Sequence, residues 1–343
     1  MNVSIKDIAR RAGVSHSTVS RALSGSSLVN RETKSRIQEL AREMGYTPSA
    51  VARAMSTGRT RTLGLVVTTI ADPFVAEVVR GIEETALDGG YNVILCNSTG
   101  DPERELAAMR ALRERWVDAL IVTSSWVGDL AEHLAEIRVP VVLINNQRAA
   151  AAGGVAYTYS VRNDDQRGGA LAGDYLAGLG HREIAYVTGP ERSMASQLRL
   201  EGCQEALNRV GGTLPDAWIV AGDGCPEGGE RAAQVLLSGA SRPSALFCYN
   251  DATAMGCLRA AKGAGLRVPR DLSILGYDDI AAAPYLDPPL TTVAQSKYVL
   301  GQQATQMALA LIQGREDVQD VLLQPELIVR SSCSEPRQPS AVR

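Results

Sequence analysis

The first residues with the capacity for specific chemistry form a short polar segment near the amino terminus. His16, Ser17, Thr18, Ser20 and Arg21 are small or hydrogen-bonding side chains on the outer face of a predicted helix. A helix that lies in the major groove of DNA needs such side chains to approach the edges of the bases. An ordinary solvated helix has a similar face, so the neighbouring elements must decide between the two interpretations.

A second set of polar residues stands where the apolar, strand-like runs of the remaining chain end. In open α/β sheets, ligands bind at the carboxyl ends of the strands. Each residue alone would more often cap a helix, but together they indicate a site for a small ligand rich in hydroxyl groups. The segments are Thr68–Asp72, Ser124–Trp126, Asn145–Asn146, Asn250–Asp251 and Tyr277–Asp279.

Catalytic and metal-binding patterns are missing from the sequence. The six cysteines and three histidines are scattered, without a Cys-x-x-Cys pair, whereas zinc sites need close, repeated spacing. The sequence has no Gly-x-Ser-x-Gly elbow and no phosphate loop, and no Gly-x-Gly-x-x-Gly motif follows the first strand. We therefore expect neither an enzyme nor a bound metal or cofactor.

Short helices must position the amino-terminal set. One helix begins after the cap Ser4 and ends at Gly13, and a second runs from Ser15 to Leu23. A third begins at the cap Asn30. Two short helices joined by a glycine turn form a helix-turn-helix motif, which favours the DNA-binding interpretation.

Beyond Thr62 the pattern changes to continuous apolar runs that alternate with helical stretches. Such runs are typical of parallel sheets covered by helices on both faces. Two series of runs predict an α/β body with two lobes that divide near residue 160.

The charge distribution separates the same two parts. Of 343 residues, 45% are hydrophobic and 21% charged, and the formal net charge is −3. The first sixty residues carry ten Lys or Arg against four Asp or Glu, so they hold +6 and the remainder −9. A basic module on an acidic body is typical of a nucleic-acid-binding head. With no apolar run of about 20 residues and no signal-like start, we expect a cytoplasmic protein without membrane contact.

The string from Ile5 to Ser24, with Val-Ser-x-x-Thr-Val-Ser-Arg at its centre, resembles the headpiece of the LacI/GalR family of bacterial transcription regulators. In that family, the two variable residues of the string choose the operator bases, and here they are His16 and Ser17. The resemblance implies that other residues of the head contact phosphates or adjacent bases. These are Ser4, Ser15, Thr18, Ser20, Arg21 and Asn30.

Residues 49–60 resemble the hinge helix of that family. In the family, this segment orders when two subunits pair on DNA and inserts an apolar wedge into the minor groove. The wedge falls on Met55, where leucine is usual, and Ser49 replaces the asparagine that starts the helix. The implied hinge contacts with DNA are Ser49, Ala52, Arg53 and Met55.

Family signatures continue through the body, among them Gly276–Asp279 and Pro289–Val293, so the resemblance runs from about Ser4 to Ser334. It implies the fold of periplasmic sugar-binding proteins. Carrying the family's positions over gives an effector-binding set. Its members are Asp72, Phe74, Ser124, Arg199, Asn250, Asp278 and Gln295.

The effector class follows from one departure. Many relatives have an aromatic residue after Gly-Asp in the second lobe, whereas this chain has Gly224. A ring that stacks on the ligand must then come from Phe74 or Trp126, or be absent. We expect a sugar, sugar acid or polyol, and a purine fits less well.

The predicted fold class is α/β, with an all-α helix-turn-helix headpiece followed by two doubly wound parallel lobes of the periplasmic-binding-protein type. The predicted domains are a headpiece at 1–48, a hinge at 49–60, an effector-binding and dimerisation domain at 61–334, and a flexible tail at 335–343. Lobe 1 would comprise about 61–160 with 292–320, and lobe 2 about 161–291 with 321–334.

The predicted function is a sequence-specific transcriptional repressor. It would bind palindromic double-stranded operator DNA as a homodimer, with a tetramer left open, under allosteric control by a small-molecule effector. Two other classes compete with this interpretation. A sugar-binding protein that does not bind DNA is disfavoured by the basic head, and an enzyme on the same scaffold by the missing motifs.

Overall fold

The computed structural model describes residues 3–23, 26–46, 54, 58–123, 139–145, 158–191, 193–239 and 241–337. The chain divides into two compact units, Met1–Thr60 and Arg61–Arg343. Within the described ranges, every helix is too short or too polar to span a bilayer.

The amino-terminal unit contains the helices α1 (Ile5–Ala12), α2 (His16–Leu23) and α3 (Arg31–Glu43). They form because their apolar residues recur at helical spacing and meet in one small core. That core includes Ile8, Val19, Ala22 and Ile37. Gly13 lies in the left-handed region with a φ of 67° and makes the turn between α1 and α2. The arrangement is the predicted helix-turn-helix followed by a third helix.

The second unit begins with lobe 1, a six-stranded sheet in the order β11-β5-β4-β3-β1-β2 with all strands parallel. Helices α4 and α10 cover one face, and α5 covers the other. The strands are β1 (Thr62–Val67), β2 (Asn92–Asn97), β3 (Ala119–Thr123), β4 (Val141–Ile144), β5 (Thr158–Asn163) and β11 (Val321–Leu323). The helices are α4 (Pro73–Asp88), α5 (Pro102–Glu114) and α10 (Lys297–Ile312).

Lobe 2 is a second six-stranded sheet, in the order β12-β10-β9-β8-β6-β7. Its strands are parallel except β12, which pairs antiparallel to β10 at the edge. The strands are β6 (Ile184–Val187), β7 (Ile219–Val220), β8 (Ala245–Cys248), β9 (Ser273–Asp278), β10 (Thr291–Ala294) and β12 (Glu326–Ile328). The helices are α6 (Asp165–Gly178), α7 (Met194–Asn208), α8 (Pro226–Ser238) and α9 (Asp251–Gly263).

The chain crosses between the lobes at positions that differ from the predicted boundaries. Strand β10 belongs to the sheet of lobe 2, although residues from 292 onward were expected in lobe 1. Strand β11 belongs to lobe 1, although residues from 321 onward were expected in lobe 2, and β5 extends lobe 1 to Asn163. These strands are short, and which sheet they join depends on distant partners rather than on their own residues.

Two smaller features complete the fold. Asp216–Trp218 forms a 3-10 turn, and only Ile219–Val220 joins the sheet as β7. The first residues of the predicted tail contact lobe 2, because Arg337 pairs with Asp271 at 3.4 Å.

Candidate functional site

The exposed face of α2 presents the polar residues predicted to contact DNA. Val19 and Ala22 are buried in the core of the headpiece, so the opposite side of the helix faces solvent. The backbone N–H of Thr18 donates to Oγ of Ser15 at 3.2 Å, which caps the start of the helix. Thr18 is half-buried, and the other predicted residues of α2 are exposed: His16, Ser17, Ser20 and Arg21.

Caps at the other two helices position the remaining predicted residues. The backbone N–H and Oγ of Ser4 both donate to Asp7, at 3.0 and 2.6 Å. These hydrogen bonds lower the pKa of the Asp7 carboxyl. Asn30 accepts from the N–H of Thr33 at 2.8 Å at the start of α3. Ser4 and Asn30 are both exposed, so both could also contact phosphate.

Some predicted residues lie outside the described part of the chain. They are Ser49, Ala52, Arg53 and Met55 of the hinge, together with Ser124 and Trp126 of lobe 1.

A cavity of about 130 Å³ lies between the lobes at the carboxyl ends of their strands. It contains all of the described residues that were predicted to bind an effector. Lobe 1 contributes Thr68, Asp72, Phe74, Val75, Val78, Thr123, Ile144 and Asn145 to its lining. Lobe 2 and the crossover after it contribute Ser193, Met194, Ala195, Arg199, Tyr249, Asn250, Asp278 and Gln295.

Two hydrogen bonds and a contact with an aromatic ring fix the position of the Arg199 side chain. Its Nε donates to Oδ1 of Asp165 at 2.8 Å, and its Nη1 donates to the carbonyl oxygen of Tyr249 at 2.6 Å. The guanidinium lies 3.7 Å from the centroid of the Tyr277 ring. Burial opposes ionisation, but Asp165 and the surrounding groups raise the pKa of Arg199 well above its ordinary value. Asp165 therefore balances the permanent positive charge of Arg199.

Two carboxylates face Arg199 from opposite lobes. Asp278 has a left-handed backbone, with a φ of 107°, and its Oδ1 accepts from Nε2 of Gln295 at 2.5 Å. Asp72 caps α4 by accepting from the N–H of Phe74 at 2.8 Å. Burial raises the pKa of both carboxyls, that of Asp278 most strongly.

Asn250 lines the cavity, and its side chain also forms hydrogen bonds within lobe 2. Its Oδ1 accepts from the N–H of Thr253 at 2.8 Å and caps α9, while its Nδ2 donates to the carbonyl oxygen of Gly224 at 3.0 Å. This leaves one N–H of the amide for other partners.

Tyr249 is a lining residue that sequence reasoning missed. A Cβ at Gly189 would come within 2.7 Å of its ring, and one at Gly224 within 3.4 Å, so both glycines leave room for the ring. Tyr249 thus provides an aromatic surface beside Gly224, where Phe74 or Trp126 was expected to supply one. Its position directly after β8 and before the predicted Asn250 was the available signal.

The lining is rich in hydrogen-bond acceptors. Oε1 of Gln295 is buried without a hydrogen-bond partner within the described structure. The carboxyl groups of Asp72 and Asp278 contribute further acceptor oxygens. A ligand that satisfies these oxygens must donate several hydrogen bonds.

Comparison with known proteins gives matches along most of the chain. Residues 4–49 match the model described as bacterial regulatory proteins, lacI family, and residues 173–333 match a periplasmic binding protein-like domain. An HTH-type transcriptional repressor PurR of Edwardsiella ictaluri is 39% identical over 334 residues, 96% of this chain and 97% of the relative. A PurR repressor of Klebsiella pneumoniae is 37% identical over the same shares of both chains.

Solved structures agree in fold. The lac repressor dimer bound to operator and the anti-inducer ONPF is 27% identical, with a TM-score of 0.86 over 97% of this chain and 100% of that chain. A complex of the regulator CelR with cellobiose is 29% identical, with a TM-score of 0.72 over 96% of this chain and 100% of that chain. A regulator from Enterococcus faecium with bound ribose is 31% identical, with a TM-score of 0.70 over 80% of this chain and 100% of that chain.

A helix-turn-helix unit and a two-lobed domain with a polar cavity define a DNA-binding transcriptional repressor under allosteric control. Its relatives are repressors and not enzymes. The chain belongs to the LacI family of bacterial regulatory proteins.

Proposed function

We propose that this repressor binds a pseudo-palindromic operator as a homodimer. Binding of a neutral sugar or polyol in the cavity then lowers or raises the affinity of the repressor for the operator. The observation that carries the proposal is the convergence of Arg199, Asp278 and Gln295 with Asp72 and Phe74 on one cavity. In this proposal the repressor acts in the cytoplasm, where the operator DNA lies.

In the headpiece, His16 and Ser17 read base edges from α2. Their exposure and the buried opposite face of the helix support this role. Phosphate and neighbouring-base contacts come from Ser4, Ser15, Thr18, Ser20, Arg21 and Asn30. The hinge at 49–60, with Ser49, Ala52, Arg53 and Met55, links the headpiece at 1–48 to the effector domain and bends the operator centre.

The charge of the cavity favours a neutral effector over a sugar acid. Arg199 already has a buried carboxylate partner in Asp165, and Asp72 and Asp278 bring two further carboxyl groups to the lining. A ligand carboxylate or phosphate would find no unpaired cation among the described lining residues, whereas hydroxyl groups can form hydrogen bonds with both carboxyl groups and with Gln295. The volume fits a single small ring, since a water occupies about 10–15 Å³ on the same scale.

Dimer formation is supported by the edge of lobe 1. Strand β2 ends the sheet with an exposed Leu95, and an edge strand with exposed apolar residues is a template for pairing with another chain. In lobe 2, Tyr285 is 86% exposed. A second copy of the chain would cover these residues in a symmetric interface, as the dimeric state of the similar lac repressor also suggests.

Selection of random DNA duplexes by the purified protein tests the DNA-binding part. We expect a palindrome with a flexible pyrimidine–purine step at its centre. Enrichment of an asymmetric site would overturn the dimeric operator. If nothing enriches, with or without a mixture of sugars, the DNA-binding role itself is wrong.

A matched ligand panel tests the effector part. Binding by calorimetry is measured for D-ribose, D-glucose, sorbitol, D-gluconate, ribose 5-phosphate and hypoxanthine. We expect a neutral sugar or polyol to bind more tightly than its acid or phosphate. Preference for an anion would overturn the charge argument, and preference for hypoxanthine would replace the sugar class with a purine.

A further inference from the structure

Lys297 occupies an electrostatically unfavourable place in the fold. It is the first residue of α10, and the amino-terminal end of a helix carries a partial positive charge that disfavours cations. The first turn of α10 contains no acidic residue, and the cap Ser296 makes no side-chain hydrogen bond to the helix. A lysine at this position needs compensation from outside the helix.

Part of that compensation comes from the other lobe, and Glu77 of α4 adds an attractive charge from lobe 1. The half-buried ammonium group of Lys297 donates to the carbonyl oxygen of Asp278 and, at 2.8 Å, to that of Asp279. Both residues lie at the end of β9 in left-handed conformations, with φ of 107° and 52°. Two carbonyl oxygens of a tight loop in lobe 2 thus bind the ammonium group of Lys297, the first residue of a helix in lobe 1.

The same crossover also holds the side chain of Asp278. Only Gln295 and Ser296 separate β10 of lobe 2 from α10 of lobe 1. Gln295 donates to the Asp278 carboxylate from one end of this link, and Lys297 binds its backbone oxygen from the other. The position of Asp278 and the bend of the link are therefore set together.

A movement of Lys297 is transmitted to lobe 1 because α10, which begins with Lys297, packs directly against α4. A Cβ at Gly81 would come within 2.2 Å of the carbonyl oxygen of Tyr298, and one at Gly301 within 2.1 Å of that of Val78. Backbones in such contact cannot slide without a large steric cost. Asp72, the N-cap of α4, lies on the lobe 1 wall of the cavity.

We propose that Lys297 is a positioning residue that fixes the angle between the two lobes. Its ammonium group ties the loop of Asp278 and Asp279 to the rigid pair of α4 and α10. A ligand that binds the carboxylate of Asp278 changes the loop that Lys297 holds, and lobe 1 moves with it. This last consequence rests on the proposed effector role of the cavity, whereas the tie itself does not.

The test measures the distance between the lobes in the full-length protein without any ligand. Spin labels are placed at the exposed positions Arg110→Cys in lobe 1 and Glu227→Cys in lobe 2, in a background with Cys96→Ser, Cys225→Ser and Cys333→Ser. The labelled chain is diluted with an excess of unlabelled chain, so that each dimer carries one labelled pair. Electron–electron resonance then gives the distribution of interlobe distances.

Lys297→Met removes the ammonium group and keeps most of the aliphatic stem. We expect its distance distribution to become at least about twofold wider than that of the parent or to shift to a new mean. Lys297→Arg, which retains a cationic donor, should stay close to the parent. Lys262→Met, at an exposed lysine near the end of α9, controls for the loss of one charge.

An unchanged distribution in Lys297→Met would overturn the proposal. So would equal broadening in Lys262→Met. If Lys297→Met does not fold, as judged by thermal unfolding, Lys297→Gln removes the charge with a smaller change in polarity and carries the same expectation. Since no ligand is present, failure of every sugar in the panel would overturn the effector proposal alone.

Discussion

Arg199 and Asp165 form a buried ion pair beside the cavity between the lobes, with Nε of the arginine 2.8 Å from Oδ1 of the aspartate. Their side chains are only 4% and 6% exposed. The pair joins the start of α6 to the middle of α7, so that it supports the wall of the cavity while it balances the charge of Arg199.

Breaking this pair should destabilise the effector domain. Asp165→Asn leaves a buried guanidinium without its counter-charge, which typically costs about 3–5 kcal/mol. The free energy of unfolding in urea measures the loss. Asp174→Asn is the matched control, because its pair with Arg209 is about half-exposed and should be worth at most about 1 kcal/mol. Equal effects of the two substitutions would contradict the role of the buried pair.

Asp278→Asn should weaken effector binding without changing operator affinity. Asparagine tolerates the left-handed backbone at this position, but its amide replaces one of the two carboxyl oxygens, so that a single acceptor oxygen remains for both Gln295 and the ligand hydroxyls. We expect the Kd of the best-bound neutral sugar or polyol of the panel to rise at least about tenfold. Asp216→Asn, at an exposed aspartate, should leave both affinities unchanged. Equal loss of sugar and operator binding would mean that Asp278 is structural.

The contribution of Asp251 to stability should fall as the pH rises from about 4 to 7. Burial raises the pKa of Asp251 to about 7, from an ordinary value of 3.8. The folded protein therefore retains a proton that the unfolded chain has released, so this group stabilises the fold at low pH and that contribution is lost toward pH 7. The contribution is on the order of 4 kcal/mol.

Asp251→Asn removes this titration, so its free energy of unfolding should depend less on pH between 4 and 7 than that of the parent. Urea unfolding at several pH values within this window measures the two slopes. The exposed Asp216→Asn variant should keep the parental slope. Parallel curves for the parent and Asp251→Asn would refute the prediction.

Arg21→Ala should abolish high-affinity binding to the selected operator. The side chain lies on the exposed face of α2, and loss of a charged contact from a docked helix weakens binding to every sequence. Fluorescence anisotropy with labelled operator measures the change, with Arg110→Ala of lobe 1 as the control. Unchanged operator affinity in Arg21→Ala would mean that α2 is not the recognition helix.

His16→Ala should instead change sequence preference. If His16 reads a base edge, its removal relaxes selection at one position in each half-site, by about 1–3 kcal/mol. Repeating the duplex selection with the variant measures this directly. A uniform loss of affinity with an unchanged consensus sequence would mean that His16 contacts the DNA backbone rather than a base.

The helices of the headpiece could be predicted because their signals are local. Ser15 and Asn30 cap helices through partners three residues away, and Gly13 makes the turn with a backbone conformation that glycine adopts at little cost. The alternation of apolar runs and helices predicted two parallel sheets for the same reason. Residues within one turn or one strand determine these elements.

The membership of β10 and β11 could not be read in this way. Each is a strand of three or four residues. Strand β10 pairs with β9 and β12, and β11 pairs with β5, which lies far from it along the chain. A short apolar run has the same pattern in either sheet, so the crossover points depend on the distant strands with which each run pairs.

The sequence by itself determined the class of protein, the order of its elements and half of the residues that line the cavity. Tertiary structure alone decided what those residues can do. It paired Arg199 with Asp165, placed the ring of Tyr249 beside Gly224, and tied Lys297 to the loop of Asp278. Local patterns follow from the backbone of neighbouring residues, whereas charge balance and reach depend on groups that only folding brings together.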